Sequence, residues 1–210
     1  LRGLLGVFAV AICLAVLLCL TGIGMRIWYV NKDREEIETK IYPMGEMVPF
    51  EDDFFYRSDE IRDYYSIRVN SAVVMPAEEY VKTQGLTMEE VWPDGIMVTD
   101  ILAVEVTIRN SNDKNATPEE DSQFVDMLNI QILSQGDNYQ RSDELFGKMY
   151  PKLDQSTFGF RVAPGTEHTL TIPFAILDWE RTNSEKIKHK KNYLLLSMYP
   201  TKKMIEVIPE

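Results

Sequence analysis

The stretch ILAVEVTIRN, residues 101–110, decides the fold of this chain. Val104, Val106 and Ile108 alternate with polar or charged residues, and this period of two places successive side chains on opposite faces of a β-strand. Asn110 opens the run NSND, whose residues favour turns and end the strand. The stretch is therefore the clearest predicted β-strand of the chain.

The same alternation recurs on both sides of this strand. In residues 65–75, the side chains of Ile67, Val69, Ser71 and Val73 are predicted to share one face. Further strands are predicted at residues 45–50, 128–132, 158–162, 170–174, 193–199 and 204–208. A short helix is predicted at residues 76–84, and an irregular segment or short helix at residues 142–152.

Turn-forming residues join most of these strands, and no long amphipathic helix interrupts them. About seven short strands with this pattern predict an all-β fold, an immunoglobulin-like antiparallel β-sandwich with one or two short helices. The Cys…Trp…Cys pattern of antibody domains is absent. Packing of two apolar sheet faces is therefore expected to supply the stability.

The N-terminal run GLLGVFAVAICLAVLLCLTGIG, residues 3–24, contains no charged residue and no proline. Roughly 20 apolar residues suffice for a helix to cross a hydrocarbon core of about 30 Å. A cleaved secretory signal has a shorter apolar core, and a lipoprotein signal needs a small residue where Leu18 precedes Cys19. The sequence thus predicts a single-pass transmembrane anchor at residues 1–30, a charged stalk at residues 31–40 and the β-sandwich at residues 41–210.

The distribution of positive charges around this run bears on orientation. Arg2 precedes it, whereas Arg26, Lys32 and Arg34 follow it, and this count alone places the C-terminal domain in the cytoplasm. Long domains are translocated largely regardless of such charges. We therefore expect a cell-membrane protein whose C-terminal domain is extracytoplasmic.

The charge of the chain restricts its partners. The formal net charge is −11, and residues 1–30 contribute two positive charges, Arg2 and Arg26, so the remaining chain carries −13. Such an acidic domain disfavours nucleic acid and anionic lipid as main partners. Both cysteines, Cys13 and Cys19, lie in the apolar run, so the predicted domain folds without disulfides.

Several segments of the chain resemble one family. They are MGEMVPF (44–50), YYSIRVNSAVVMPAEEY (64–80), VEVTIRN (104–110), FRVAPGTEHTLTIPFAI (160–176) and YLLLSMYPTKKMIEVIP (193–209). They resemble uncharacterised bacterial proteins, mostly Gram-positive, that are membrane-anchored and extracytoplasmic. The resemblance covers most of residues 41–210 and implies an immunoglobulin-like, telokin-like domain of unknown function. It implies no catalytic residues.

No motif predicts catalysis. The two histidines, His168 and His189, have no partner at metal-ligand or triad spacing, and no cysteine lies outside the apolar run. GxSxG, HExxH and phosphate-loop motifs are absent. We therefore predict no enzyme activity, no cofactor and no catalytic, cofactor-binding or metal-binding residues.

Three weaker candidates for binding remain, each with a structural alternative. Clustered acidic residues between 51 and 63 are candidate calcium ligands, although their spacing favours a solvated loop. Tyr56, Tyr64, Tyr65 and Tyr80 suit sugar or protein binding if they are exposed, and core packing if they are buried. The basic run at residues 186–191 suits phosphate groups but is more typical of a solvated loop.

Two functions fit these observations. The first is a membrane-anchored, extracytoplasmic, non-enzymatic binding module that contacts a protein or cell-envelope partner. The second is an accessory subunit of a membrane complex, such as a transporter or cell-envelope machinery, in which the transmembrane helix is the contact. Small residues at Gly3, Gly6, Gly22 and Gly24 would allow close packing of that helix.

Overall fold

The computed structural model describes residues 2–32, 37–55, 62–95, 97–117, 125–126, 130–153, 159–177 and 184–210. At residues 2–11, 13, 15, 125–126, 159–160 and 184 it describes the backbone alone. The chain forms two compact units, Leu1–Glu36 and Ile37–Glu210.

The first unit contains one helix, α1 (Arg2–Asn31). Its described side chains are exposed, including Leu17, Leu18 and Trp28. The Thr21 hydroxyl donates to the Leu17 carbonyl oxygen at 3.0 Å, so the polar group is satisfied within the helix. Over the described residues, no helix combines the length and the apolar character needed to cross a membrane.

The second unit is mostly β-structure. Its strands are β1 (Glu38–Tyr42), β2 (Val48–Glu51), β3 (Arg62–Pro76), β4 (Val98–Asn110), β5 (Val125–Asp126), β6 (Gln131–Ser134), β7 (Asp137–Gln140), β8 (Gly159–Phe160), β9 (Thr166–Leu177), β10 (Asn192–Leu195) and β11 (Thr201–Val207). Its helices are α2 (Ala77–Thr83), α3 (Met88–Val91), α4 (Asp143–Met149) and α5 (Ser184–Lys188).

Most strands belong to two sheets. The first sheet has the order β2-β3-β4-β9, and the second has the order β1-β11-β10-β6-β7. Strands β5 and β8 form a separate pair. The pairing is antiparallel except between β1 and β11, which run parallel with Glu38 opposite Thr201. The predicted purely antiparallel pairing is therefore wrong at this edge, where residues 38–40 of the predicted stalk belong to a strand.

The apolar residues of both sheets meet in one core. Phe50, Val104 and Ile172 of the first sheet lie in the same buried cluster as Ile132 and Ile205 of the second sheet. Each of these side chains is fully buried, and each such burial contributes about 1.5–3 kcal/mol. The prediction of a mostly β domain with two sheets is confirmed, whereas the immunoglobulin-like assignment stays a prediction.

Strand β3 differs from the predicted alternation in its second half. Ile67 and Val69 are buried, but the buried face then continues with Ala72 and Val74, while Ser71 is exposed. The pairing of β3 with β4 shifts by one residue between Val69 and Ser71. Because an extra residue in one strand reverses the facing of every later side chain, the prediction that Ser71 and Val73 continue the buried face is wrong.

The short helices outnumber the one or two predicted. Helices α2 and α4 occupy the segments where short helices were expected, and Gly85 ends α2 with a φ of +72°. Helices α3 and α5 have four and five residues. Such lengths are too short to show a helical period of apolar residues, so the sequence pattern did not predict them.

Candidate functional site

The candidate site is an open groove where the edge strands of the two sheets meet. Strand β7 is the last strand of one sheet and β9 is the last strand of the other. The groove between them has a volume of about 530 Å³. Its lining residues are Trp92, Gly95, Met97, Val98, Asn138, Gln140, Arg141, Ser142, Glu144, Ala175 and Leu177.

One wall of the groove is the segment that leads from α3 into β4. The hydroxyl of Thr87 accepts a hydrogen bond from the Glu90 amide at 3.2 Å, and the Glu90 carboxylate accepts one from the Thr87 amide at 2.8 Å. This reciprocal pair caps the N-terminus of α3. The Gly95 amide then donates to the Trp92 carbonyl oxygen at 3.1 Å and closes a turn. This turn buries the Trp92 side chain and leaves Met97 59% exposed at the groove.

The opposite wall is the connection from β7 to α4. The backbone of Arg141 forms an isolated antiparallel β-bridge with Phe174 of β9, and the Ser142 amide donates to the Pro173 carbonyl oxygen at 2.8 Å. The Ser142 hydroxyl accepts from the Leu145 amide at 3.4 Å and caps α4. The backbone therefore holds the two edge strands together at one end of the groove.

The charge of Arg141, the arginine in this wall, is paired with the carboxylate of Asp143. Its Nη2 lies 2.6 Å from Asp143 Oδ1, and its guanidinium carbon lies 4.9 Å from the centre of the Phe146 ring. The Arg141 side chain is only 6% exposed. Among the described lining residues, Glu144 is the other charged group, and it is exposed. The groove thus presents apolar surface with an unneutralised carboxylate at its rim.

The groove lies over a second apolar cluster, formed by α2, α3 and α4 against β4 and β9. Trp92 and Val98 are buried members of this cluster, Ala175 and Leu177 pack against it, and all four also line the groove. Methionines at 75, 88 and 149 pack against the cluster. Flexible, polarizable methionine side chains adapt to ligands of different shape, and they are common at surfaces that bind several partners.

Tyr80 is the buried titratable group of this second cluster. Its hydroxyl donates to the Met149 sulfur at 4.0 Å, which is a weak hydrogen bond. Burial raises the pKa of Tyr80 from 10.0 to about 12, and Tyr150 adds a smaller electrostatic contribution. The tyrosine is therefore neutral at physiological pH and strengthens the apolar character beneath the groove.

A second region of the domain buries charge instead of exposing apolar surface. We call Glu51, Asp53, Thr201 and Lys203 the charged cluster. The side chains of Lys203 and Asp53 are 1% and 3% exposed, and Lys203 Nζ lies 2.7 Å from Asp53 Oδ2. Lys203 Nζ also contacts Glu51 Oε2 and donates to the backbone oxygens of Pro49 at 3.0 Å and Phe50 at 3.2 Å.

Further contacts fix the aspartate of the charged cluster. Asp53 Oδ1 accepts from the Thr201 amide at 2.8 Å, and the Asp53 carbonyl oxygen accepts from Arg62 Nη2 at 2.9 Å. The guanidinium carbon of Arg62 lies 4.6 Å from the centre of the Phe50 ring. Arg62 is itself 1% exposed. Two groups of β11, the Thr201 amide and Lys203 Nζ, therefore hold this carboxylate, and Arg62 of β3 holds the backbone of the same residue.

The charged cluster shifts two pKa values in opposite directions. Burial lowers the pKa of Lys203, but hydrogen bonds to Asp53 and Glu51 raise it more, so the pKa lies above its ordinary value. The hydrogen bond from Lys203 is the main cause that lowers the pKa of Glu51. The predicted solvated acidic loop is thus wrong for Asp53, whose carboxylate is buried and paired with a lysine far along the chain.

The remaining sequence candidates have different outcomes. Tyr65 and Tyr80 are buried in the cores, and Tyr56 lies outside the described residues. Tyr64 is 42% exposed beside a polar pocket of about 370 Å³, which Asn112, Asp113, Asn115 and Ala116 also line.

The basic run and the histidines are placed on the surface. Lys190 Nζ lies 2.5 Å from Asp137 Oδ2, and Ile187 is fully buried, so part of the run packs onto the domain. His168 and His189 are exposed. Within the described ranges, no group of three or more acidic, histidine or cysteine side chains is placed to hold a metal ion.

Sequence reasoning did not identify the groove. Its walls come from residues 92–98, 138–144 and 175–177, which are distant in the chain. An available signal was the apolar pair Ile96-Met97 after the turn at Gly95, where polar residues are usual.

A sequence-family profile described as "Domain of unknown function (DUF5028)" matches residues 39–203. No curated protein and no solved structure matches the chain. The matched residues include the strands that form the groove and the whole charged cluster.

Proposed function

The chain belongs to the DUF5028 family, whose function is unknown, and we propose that it is a membrane-tethered, extracytoplasmic, non-enzymatic module. In this proposal it binds a protein segment in the groove between β7 and β9. The occupant is a segment with one or two apolar side chains flanked by lysine or arginine. The exposed apolar groove with its unneutralised carboxylate carries this proposal.

The apolar part of the occupant follows from the lining. Met97, Ala175 and Leu177 offer apolar surface to a side chain that enters the groove, and Trp92 lies beneath them. Burial of apolar surface stabilises a complex by roughly 25 cal/mol per Å² before the entropic cost of association. A volume of about 530 Å³ accommodates a few side chains rather than a whole helix.

The cationic part of the occupant follows from charge. Glu144 and Asp94 are exposed at and beside the groove, and the Arg141 charge is taken up by Asp143. The chain after residue 30 carries a net charge of −13, which attracts positively charged partners and speeds their encounter. An acidic segment would meet repulsion from the same charges.

The membrane tether in this proposal is supported by the sequence. Residues 3–24 contain no charged side chain, and α1 (Arg2–Asn31) includes all of them. A tether raises the local concentration of the module near partners at the same membrane.

A peptide titration tests the groove. The full chain, reconstituted in lipid nanodiscs, is titrated calorimetrically with the peptide Lys-Lys-Leu-Leu-Lys-Lys. Two control peptides carry alanine in place of leucine or glutamate in place of lysine. We expect each control peptide to bind at least tenfold more weakly, about 1.4 kcal/mol.

A variant pair locates the binding. Met97→Lys places a positive charge in the groove and is expected to abolish binding of the leucine–lysine peptide. Ile41→Lys is the matched control, because Ile41 is 54% exposed and Met97 is 59% exposed. Equal affinity for all three peptides, or unchanged binding by Met97→Lys, would overturn the groove proposal.

Fractionation tests the tether independently. The full chain is expected to remain in membranes after carbonate extraction, and protease added to intact cells is expected to digest residues 37–210. Recovery of the full chain in the soluble fraction would refute the tether. Protection from protease in intact cells would refute the extracytoplasmic placement.

A further inference from the structure

The charged cluster brings together the two groups that form an amide bond. The amine is Lys203 Nζ on β11, and the acid is the carboxyl group of Asp53, just after β2. The Nζ–Oδ2 distance is 2.7 Å, so the amine is in direct contact with the carboxyl group. The carboxyl carbon is bonded to the oxygen that the amine contacts. Both side chains are almost completely buried, and water therefore competes little for either group.

The surrounding contacts suit a reaction at this carbon. The Thr201 amide donates to Asp53 Oδ1 at 2.8 Å, where negative charge develops when a nucleophile adds to the carboxyl carbon. Glu51 Oε2 contacts Nζ and is placed to accept a proton from it. The Glu51 side chain is 60% exposed, so it exchanges protons with solvent.

We propose that Lys203 and Asp53 join in an intramolecular isopeptide bond, formed by this domain on its own side chains after folding. The Lys203 ammonium gives one proton to Glu51, and the neutral amine attacks the Asp53 carboxyl carbon. The Nζ–Cγ bond forms, the Cγ–Oδ2 bond breaks, and Oδ2 leaves as water. The two protons of that water are the one held by Glu51 and a second one from Nζ, so the ion pair becomes one neutral amide and one water molecule.

The folded domain supplies what this reaction lacks in free solution. Fixing amine and acid in contact gives an effective concentration far above that of separate molecules. Burial by itself disfavours the charged form of Lys203, but its contacts with Asp53 and Glu51 together outweigh this effect. Hydrogen bonds hold the pKa of Lys203 above its ordinary value, so the bond is expected to form slowly and faster at higher pH.

The bond would connect the two sheets near their edges. It links the end of β2 in the first sheet to β11 in the second sheet, and most of the domain lies between the two residues in sequence. Both cysteines of the chain lie in the apolar N-terminal run, so disulfides are not available to the domain. A cross-link of this span restricts the unfolded chain in the way that a long-range disulfide does.

Mass spectrometry of the intact full chain tests the proposal. We expect a mass lower than the sequence mass by one water molecule. Trypsin should then yield a branched peptide in which residues 41–57 are joined to residues 203–210, without cleavage after Lys203. A mass equal to the sequence mass after prolonged incubation at pH 9 would overturn the proposal. Loss of water with residues 41–57 and 204–210 recovered as separate peptides would also overturn it, since a succinimide at Asp94-Gly95 loses the same mass.

Three variants assign the roles. Asp53→Ala should have its full sequence mass, whereas Asp52→Ala, a change at the exposed neighbour, should still lose water. Because Asp53→Ala leaves a buried lysine and could fail to fold, Glu51→Gln serves as a second variant at a side chain that is 60% exposed. Glu51→Gln is expected to slow bond formation at least tenfold, and an unchanged rate would refute the role of Glu51.

Discussion

The groove between β7 and β9 and the charged cluster depart from ordinary burial in opposite ways. The groove exposes apolar side chains, with Met97 59% exposed, whereas the cluster buries Lys203 at 1% exposure. Within the domain, the cluster satisfies its own charges through Asp53, Glu51 and backbone oxygens. In the groove, Trp92 and Val98 are buried in the second apolar cluster, Ala175 and Leu177 are partly buried against it, and the Met97 side chain is exposed. The comparison suggests that the cluster serves the stability of the domain and the groove serves a partner.

The largest expected effect tests whether the charged cluster stabilises the domain. Asp53→Ala removes the buried partner of Lys203 and, relative to the chain before the amide forms, is expected to lower the free energy of unfolding by about 3–5 kcal/mol, because a buried charge then lacks its main counterion. Chemical denaturation followed by circular dichroism measures the change. The control Asp52→Ala lies at an exposed site and should stay within about 0.5 kcal/mol of the unaltered chain. A loss below about 1 kcal/mol for Asp53→Ala would mean that the cluster contributes little to folding.

The second prediction concerns the apolar cluster beneath the groove at high pH. Below pH 10 the Tyr80 hydroxyl is protonated in the folded and unfolded states, and its favourable contribution is complete. Because its folded pKa is about 12, this contribution is lost as the pH rises from about 10 to 12. At 1.36 kcal/mol per pKa unit, the loss approaches about 3 kcal/mol.

Tyr80→Phe isolates this effect. The variant should lose less stability than the unaltered chain over the same pH interval, whereas Tyr64→Phe, at a side chain that is 42% exposed, should behave like the unaltered chain. Parallel pH profiles for all three proteins would show that Tyr80 is accessible to water.

The third prediction tests whether charge at the groove selects the partner. Glu144→Lys reverses the exposed charge at the rim and is expected to weaken binding of the leucine–lysine peptide about tenfold at low salt. The effect should shrink as added salt screens the charges. Glu89→Lys is the control, since Glu89 is exposed on α3 and does not line the groove. An equal effect of both variants would indicate general electrostatic attraction rather than recognition at the groove.

The smallest expected effect concerns the turn that shapes the groove wall. Gly95 has a φ of +71°, and a side chain in this conformation costs roughly 1–2 kcal/mol except in asparagine or aspartate. Gly95→Ala is therefore expected to lower the free energy of unfolding by about 1 kcal/mol, while Gly95→Asn stays closer to the unaltered chain. Thermal unfolding of the two variants measures the difference. Equal stability of Gly95→Ala and Gly95→Asn would show that the turn adapts without strain.

The sequence by itself determined the class of the domain and most of its strands. The alternation of Val104, Val106 and Ile108 with polar residues fixes one buried face, and the burial of these residues follows it. Turn residues set where strands end, as at Asn110 and Gly136. These features are local, because strand periodicity and turn preference depend on residues that are adjacent in the chain.

Only the tertiary structure decided the parallel pairing of β1, the reversal of facing in β3, the charged cluster and the groove. Asp53 and Lys203 are ordinary charged residues in the sequence, and the residues of the groove wall are equally ordinary apolar, polar and charged residues. Their environment arises when distant strands pack together, since burial, pKa and exposure depend on neighbours in space. A chain pattern with period two specifies a face of a strand, but it does not specify which other strand will cover that face.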